Sequence, residues 1–275
     1  MKHILAALMS LALLGCSSRP KVTGPLNYSA TAKQNYRKAV RAMRKHNYEE
    51  AKKYFKFVRD KFVLSKYVVL AELHMADLLY KQGKYLAAIQ AYESFLKDHP
   101  GHQAVQSGYV PFQIGHCHWK MVPSDWWLLP PSYEKDLTPV VGAAKVFRVF
   151  LQRFGDSKYA PRARKYYHKA LRRLARHELY VAKFYLSRGK PKGAILRLEG
   201  LIRRYPDAGY EPSVLLLLAK THLKMKHPAK ARILFEKLIQ KYPADPNAAR
   251  ARLYLHYMDK TAKTRLSRKR NHKGS

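Results

Sequence analysis

Acidic residues, cysteines and long apolar runs are all scarce in this chain. Against 54 Lys and Arg there are 18 Asp and Glu, which gives a formal net charge of +36, and the only cysteines are Cys16 and Cys117. The N-terminal apolar run, 4–15, has about 12 residues, too short for a helix that spans a bilayer. No stretch alternates apolar and polar residues in the manner of a strand, so no sheet is expected.

The N-terminus has the pattern of an export signal. A short basic start, 1–3, precedes the apolar run, which ends in Leu-Leu-Gly before Cys16. This pattern resembles a bacterial lipobox, in which the cysteine is acylated and becomes the first mature residue. Ser17 rather than Asp follows it, which by the same resemblance indicates the outer membrane. We therefore expect a lipoprotein signal peptide over 1–15 and a lipidated tether over 16–27; the alternative is an ordinary signal with an incidental cysteine.

A helical-repeat pattern dominates the rest of the sequence. A small residue is followed one turn later by a bulky apolar one, and a Pro or Gly then ends the segment. The first two copies and the last two copies are each 37 residues apart. The five pairs are Ala51 and Phe55, Ala88 and Tyr92, Ala143 and Phe147, Ala194 and Leu198, and Ala231 and Phe235.

This pattern predicts an all-α, tetratricopeptide-like superhelical solenoid over 28–258. The five expected helical hairpins cover roughly 29–62, 67–99, 103–154, 159–205 and 210–242. The third is interrupted by a proline-rich stretch, 121–139, that contains Trp126 and Trp127. These two tryptophans either pack back on the solenoid or form an exposed interaction patch.

The excess of positive charge predicts an anionic partner. Nucleic acid is the usual one, but an exported protein meets little of it, so lipid headgroups, lipid phosphates or acidic protein surfaces fit better. The C-terminal stretch, 259–275, is strongly basic and is predicted to be a disordered tail. Five cations also fall on one face of the helix predicted after residue 160, namely Arg162, Lys165, Lys169, Arg172 and Arg176. Such a stripe is either a solvated face or a contact for an anionic partner.

Glu178 falls in the middle of the apolar face of the same predicted helix. A carboxylate at such a position is costly unless a cation meets it. In sequence the nearest candidates are Arg197, which we expect to be the partner, and Arg188 as the second choice.

The residues around Glu178 and beyond it carry a more specific resemblance. The stretch from Leu174 to Tyr185, then Arg188-Gly189, the run 197–201 and Arg204-Tyr205-Pro206-Asp207 resemble the signature of the BamD family, the lipoproteins of the outer-membrane β-barrel assembly machinery. The resemblance covers about 28–255. The chain departs from the family in its higher charge, and in Val63 and Gly155 where the family usually carries Pro.

This resemblance implies a scaffold at the periplasmic face of the outer membrane. Its C-terminal half, 156–258, would bind the POTRA region of a BamA-like barrel protein, with Arg188 and Arg197 as contacts. Its N-terminal half, 28–155, would bind the C-terminal signals of unfolded outer-membrane proteins. Other assembly lipoproteins would be further partners, the lipid on Cys16 would hold the protein on the membrane, and no nucleic acid would be bound.

A groove for such a client peptide needs aromatic and cationic side chains on the first helix of each N-terminal hairpin. Projecting those helices gives the following candidates: Tyr36, Met43, Arg44, Leu73, Asp77, Tyr80, Lys81, Tyr109, Phe112, His116 and Trp119.

Other classes of function have weaker support in the sequence. No recognisable catalytic motif occurs, so we expect neither an enzyme nor a cofactor. The triplet His116-Cys117-His118 cannot converge on one metal ion from a helix, because adjacent side chains point about 100° apart. The alternative to the assembly scaffold is another periplasmic repeat lipoprotein, an adaptor for cell-wall enzymes or for the Tol system.

Overall fold

The computed structural model describes residues 26–123 and 136–271, with side chains as far as residue 264. These residues form twelve α-helices and one 3-10 turn, with no strand among them, which confirms the all-α prediction. Within these ranges no helix combines the length and the apolar character that crossing a membrane requires. The predicted signal peptide, most of the tether, and Trp126 and Trp127 lie outside the described residues.

The described residues divide into two compact units, unit 1, which ends at Pro100, and unit 2, which begins at Gly101. Unit 1 holds four helices: α1 Ala32–Arg44, α2 Tyr48–Lys61, α3 Tyr67–Lys81 and α4 Tyr85–Asp98. Unit 2 holds eight: α5 Gln103–Gln106, α6 Tyr109–Lys120, α7 Thr138–Arg153, α8 Ala160–Ser187, α9 Pro191–Arg204, α10 Glu211–Lys224, α11 Pro228–Lys241 and α12 Pro246–Asn271. The 3-10 turn is Pro206–Ala208.

This division differs from the predicted boundary between 155 and 156. Ala160 and Ala163 at the start of α8 share one core with Phe112 of α6 and with Phe147 and Phe150 of α7. A boundary at 155 would cut through that core, so the third hairpin belongs with the C-terminal hairpins.

The repeated small and bulky residues form the contacts between paired helices. All ten side chains of the five sequence pairs are fully buried. The alanines let two helices approach closely, and the bulky residue four positions later lies on the same face and fills the space beside them. The repeat read from the sequence is therefore the packing seam of the structure.

The turns inside four of the hairpins also repeat at the 37-residue interval. In each turn one residue takes the left-handed conformation with positive φ: His46 at 58°, Gly83 at 76°, Gly189 at 68° and Lys226 at 61°. The next backbone N–H then donates back to the last turn of the first helix, as Lys190 N does to Tyr185 O at 2.9 Å. This is a Schellman-type helix ending, which satisfies carbonyl groups that the helix leaves free.

Two glycines allow the close approach of α6 and α7 in unit 2. A Cβ added at Gly115 would lie 2.7 Å from Cε1 of Phe147, and one at Gly142 would lie 2.5 Å from Nδ1 of His118. Each helix thus has a glycine where the ring of the other helix packs.

The C-terminal helix α12 is longer than the sequence predicted. It continues to Asn271, so the prediction of a disordered tail from 259 is wrong as far as residue 271. Buried Ala248 and Ala251, with Tyr254 stacked on Phe235 at a centroid distance of 5.2 Å, fix its first turns against unit 2. Once a helix is nucleated, Lys and Arg extend it well, because their intrinsic helix propensity is high.

Candidate functional site

Glu178 is the centre of a polar network between α8 and α9. Its carboxylate is buried, and Arg197 Nη1 lies 3.3 Å from Oε2, the partner that the sequence predicts. Arg204 Nη2 donates to Oε1 at 2.7 Å, a contact that the sequence prediction missed. Arg188 does not join this network, because its guanidinium lies over the ring of Phe184, 5.3 Å from the ring centroid.

A second buried carboxylate is held in a related way at the start of α10. Glu211 Oε2 accepts hydrogen bonds from Lys241 Nζ and from the hydroxyl of Tyr242, both at 2.7 Å. Burial alone would raise the pKa of Glu211, but these two hydrogen bonds hold it below its ordinary value. Lys241 stands 37 residues after Arg204, and each precedes a Tyr-Pro pair. The sequence signal that could have identified Arg204 as a partner of a buried carboxylate is therefore a cation directly before a Tyr-Pro pair.

The eleven predicted groove residues are not all accessible. Seven belong to unit 1 and four to unit 2. Five of them are buried, namely Met43, Leu73, Asp77, Phe112 and His116. The accessible ones are Tyr36, Arg44, Tyr80 and Lys81 in unit 1, and Tyr109 and Trp119 in unit 2. The buried five pack between helices, as first-helix positions can, so only the accessible six remain candidates for the groove.

Asp77 shows why a polar residue can be part of the core. It is 7% exposed, the hydroxyl of Tyr92 donates to its Oδ1 at 2.6 Å, and His74 Nδ1 lies 3.0 Å from its Oδ2. Its carboxylate therefore joins α3 to α4 within unit 1 and does not face a ligand.

His116 is similarly enclosed in unit 2. Its ring centroid lies 5.0 Å from that of Tyr166 and 5.6 Å from that of Phe112. Burial, followed by the charges of Arg162 and Lys120, lowers the pKa of His116 to about 4. The imidazole is therefore neutral at pH 7, and its burial is consistent with a packing role.

The five cations predicted on one face of α8 are all exposed. Arg162 lies over the ring of Phe112, 5.1 Å from the centroid, and Arg176 Nε is 3.5 Å from the hydroxyl of Tyr210. Lys165, Lys169 and Arg172 form no ion pair with any residue that the structure describes. The stripe is thus a strongly basic surface of unit 2.

The histidines and Cys117 take structural positions. His99 Nε2 lies 2.7 Å from Glu72 Oε2, and His102 Nδ1 accepts a hydrogen bond from Ala104 N at 3.1 Å. Cys117 is buried and forms no disulfide with any residue that the structure describes. Among residues 26–123 and 136–271, no three His, Cys, Asp or Glu side chains lie close enough to hold a metal ion.

The hairpins have buried seams of an alanine and a bulky apolar residue, left-handed turns, and carboxylates that join neighbouring helices. These features define a helical-repeat protein of the tetratricopeptide class. The chain belongs to the YfiO family of outer membrane lipoproteins, whose model matches residues 28–232. The match covers all four helices of unit 1 and extends into α11 of unit 2, so it includes the Glu178 network.

Curated relatives match this chain over most of its length. The outer membrane protein assembly factor BamD of Neisseria meningitidis serogroup A is 25% identical over 253 residues, which are 89% of this chain and 92% of that protein. BamD of Haemophilus influenzae is 28% identical over 226 residues, covering 80% and 83% of the two chains. Among solved structures, the TPR2AB-domain:pHSP90 complex of yeast Sti1 has a TM-score of 0.39 and 15% identity, covering 85% of this chain and 87% of that one.

Proposed function

We propose that this protein is a lipid-anchored scaffold for the assembly of outer-membrane β-barrel proteins. In this proposal Cys16 carries the lipid, the C-terminal hairpins of unit 2 bind a BamA-like protein, and unit 1 receives the C-terminal segments of unfolded barrel proteins. The observation that carries the proposal is family membership over 28–232, in a family of outer membrane lipoproteins whose relatives are named assembly factors.

The accessible side chains of unit 1 support a peptide-binding role. Tyr36 and Tyr80 are half-buried, and Arg44 and Lys81 are exposed on the same two helices, α1 and α3. An unfolded client ends in an extended, partly apolar segment with an aromatic residue and a carboxylate. Aromatic rings can pack on such a segment, and the two cations can attract its terminal charge.

The end of α8 supports a separate protein contact in unit 2. Phe184 is 48% exposed and Arg188 lies over its ring, so an apolar surface and a cation occur together. Arg197 is less suitable for testing this contact, because it also supports buried Glu178.

We expect the two activities to be separable by mutation. Tyr80→Ala should weaken binding of a synthetic peptide with the C-terminal residues of a barrel protein by roughly tenfold, since truncating a central aromatic costs about 1–2 kcal/mol. It should leave co-purification of the BamA-like protein unchanged. Arg188→Glu should weaken co-purification of the BamA-like protein and leave peptide binding unchanged. Lys97 is an exposed residue of unit 1, and Lys97→Glu, which makes the same charge change, should affect neither activity.

Measurement of peptide binding by fluorescence anisotropy and of co-purification from solubilised membranes checks both halves of this prediction. Crosslinking of the client peptide mainly to residues beyond Leu174 would show that the two roles are assigned the wrong way round. If cell-wall enzymes or Tol components co-purified in place of the BamA-like protein, the scaffold would serve another envelope system.

The anchor has its own test. Cys16→Ala should move the protein from the membrane fraction to the soluble fraction, because the acyl chains supply about 0.8 kcal/mol per buried CH2 group. Cys117→Ala, the matched control at the buried cysteine, should leave the distribution unchanged. If the Cys16→Ala protein stayed on membranes from which the BamA-like partner had been removed, the lipid anchor would be refuted.

A further inference from the structure

Unit 2 exposes large aliphatic side chains on the second helix of successive hairpins. Val141 and Val149 on α7, Leu196 on α9 and Ile233 on α11 are 51%, 52%, 68% and 64% exposed. Leu196 and Ile233 are 37 residues apart, so they occupy the same position of the repeat. Exposed apolar residues that recur on neighbouring helices form a patch, and such patches mark interaction surfaces.

Two grooves lie between these helices. The first, of about 430 Å³, lies between α9 and α11, and Leu215 and Leu218 of α10 line its floor. The second, of about 300 Å³, lies between α7 and α9, and Leu171 and Leu174 of α8 line its floor. The two grooves share α9, so they are adjacent on one face of unit 2, the second-helix face.

The groove edges are basic. Six cations and a single carboxylate line the two grooves: Lys145, Arg148, Arg203, Arg204, Lys230 and Lys237, with Glu199. Arg204 is engaged by Glu178, and Arg203 Nη1 is 3.9 Å from Glu199 Oε2. The other four cations form no ion pair in the part of the chain that the structure describes. This face therefore has an excess of cations over an apolar floor.

One polar group in the first groove is unsatisfied. His222 of α10 lines this groove and is 8% exposed, and its buried Nδ1 has no hydrogen-bond partner among the described residues. Burial, then the charges of Lys230 and His227, lowers the pKa of His222, while Glu199 opposes the shift, so the ring is neutral at pH 7. A buried polar atom without a hydrogen-bond partner is costly to the folded state.

We propose that the second-helix face of unit 2 docks an acidic, amphipathic segment of a partner protein. The apolar side chains of that segment would enter the two grooves and its carboxylates would meet the basic edges. This surface goes beyond the scaffold function proposed above, because it lies on α7, α9 and α11 and does not include Arg188.

Charge and shape favour this occupant over two others. A second copy of the chain would bring a further net charge of +36 against the same basic edges. An anionic membrane would satisfy the charges, but lipid headgroups form a broad surface, whereas the grooves are recesses that accept single side chains. A segment with both carboxylates and apolar side chains satisfies both requirements.

The test uses two designed helical peptides with the same leucine stripe, one with glutamate and the other with lysine at all remaining positions. The protein is the full chain with Cys16→Ala, at about 0.15 M salt to screen long-range attraction. The glutamate peptide should bind at least roughly tenfold more tightly than the lysine peptide. Ile233→Ser and Leu196→Ser, which change no charge, should each weaken that binding by roughly fivefold or more.

A charge reversal outside the face provides the control. Lys183 is exposed on α8, about 180° around the helix from Leu174. Lys230→Glu should weaken glutamate-peptide binding at least roughly threefold more than Lys183→Glu does. Equal effects of these two variants, or no effect of Ile233→Ser, would overturn the proposal.

Two further outcomes would assign the face to another occupant. If the wild type sedimented as a dimer and the Ile233→Ser variant as a monomer, a second copy of the chain would be shown to cover the face. If instead the wild-type protein floated with vesicles that contain phosphatidylglycerol, and Ile233→Ser abolished this flotation without any effect on peptide binding, a membrane would be shown to cover the face. Because Ile233 and Leu196 are exposed, unchanged thermal unfolding of both variants will show that lost binding is not lost folding.

Discussion

Replacing Arg197 and Arg204 together by alanine is expected to destabilise unit 2 by about 3–5 kcal/mol. Both guanidinium groups bond the carboxylate of Glu178, whose side chain is only 8% exposed. Without them a buried carboxylate is left without a compensating cation, which is strongly destabilising. Urea denaturation followed by circular dichroism measures the change.

The single variants and a rescue variant distinguish this explanation from a general loss of surface charge. Arg197→Ala alone should cost about 1 kcal/mol, because Arg204 remains 2.7 Å from Glu178 and the side chain of Arg197 is 42% exposed. Adding Glu178→Leu to the double variant should restore most of the stability, since the uncompensated charge is then removed. A double variant as stable as the wild type would show that Glu178 does not depend on these arginines.

The sequence predicted the Glu178 pair only in part, for a physical reason. Its apolar helix face showed that the carboxylate must be buried, and burial requires a cation. Sequence distance then favoured Arg188 and Arg197, but it does not show which side chains can reach across the α8–α9 hairpin. Arg204 lies 26 residues from Glu178 and reaches it because α9 runs back along α8.

The packing seams were more predictable, because they depend on local spacing. A small residue and a bulky one four positions later share a helix face whatever the tertiary structure, and all five such pairs are buried. The length of α12 was not predictable in the same way. Its basic end looks disordered by composition, whereas the helix is nucleated by packing of Ala248, Ala251 and Tyr254 further upstream.

The side chains of the client-peptide groove were the least predictable feature of the molecule. Projection onto a helix separates faces, but it does not show which face meets a neighbouring helix and which meets solvent. Asp77 and His116 are polar and so resembled ligand contacts, yet both are buried among other side chains. Phe112 is the clearest example of the same ambiguity, because an aromatic residue suits a peptide groove and a core equally well.

Phe112→Ala is accordingly expected to destabilise unit 2 by about 3–5 kcal/mol, the range for deleting a buried phenylalanine. The ring is 2% exposed, it stacks on Tyr159 at a centroid distance of 5.3 Å, and Phe147 and Phe150 pack around it. Arg162 lies over the same ring, 5.1 Å from its centroid. The substitution would leave a cavity at the centre of this cluster.

Two measurements separate this core role from the groove role that the sequence predicted. Thermal and urea unfolding should show the loss of stability, with Phe112→Leu costing about 1–2 kcal/mol because it fills much of the cavity. Binding of the client peptide, measured at low temperature where the variants are still folded, should stay within about threefold of the wild type. Tyr80→Ala should show the opposite combination, with weaker peptide binding and a smaller change in stability. If Phe112→Ala kept its full stability and lost peptide binding, Phe112 would be a groove residue and its place in the core would be refuted.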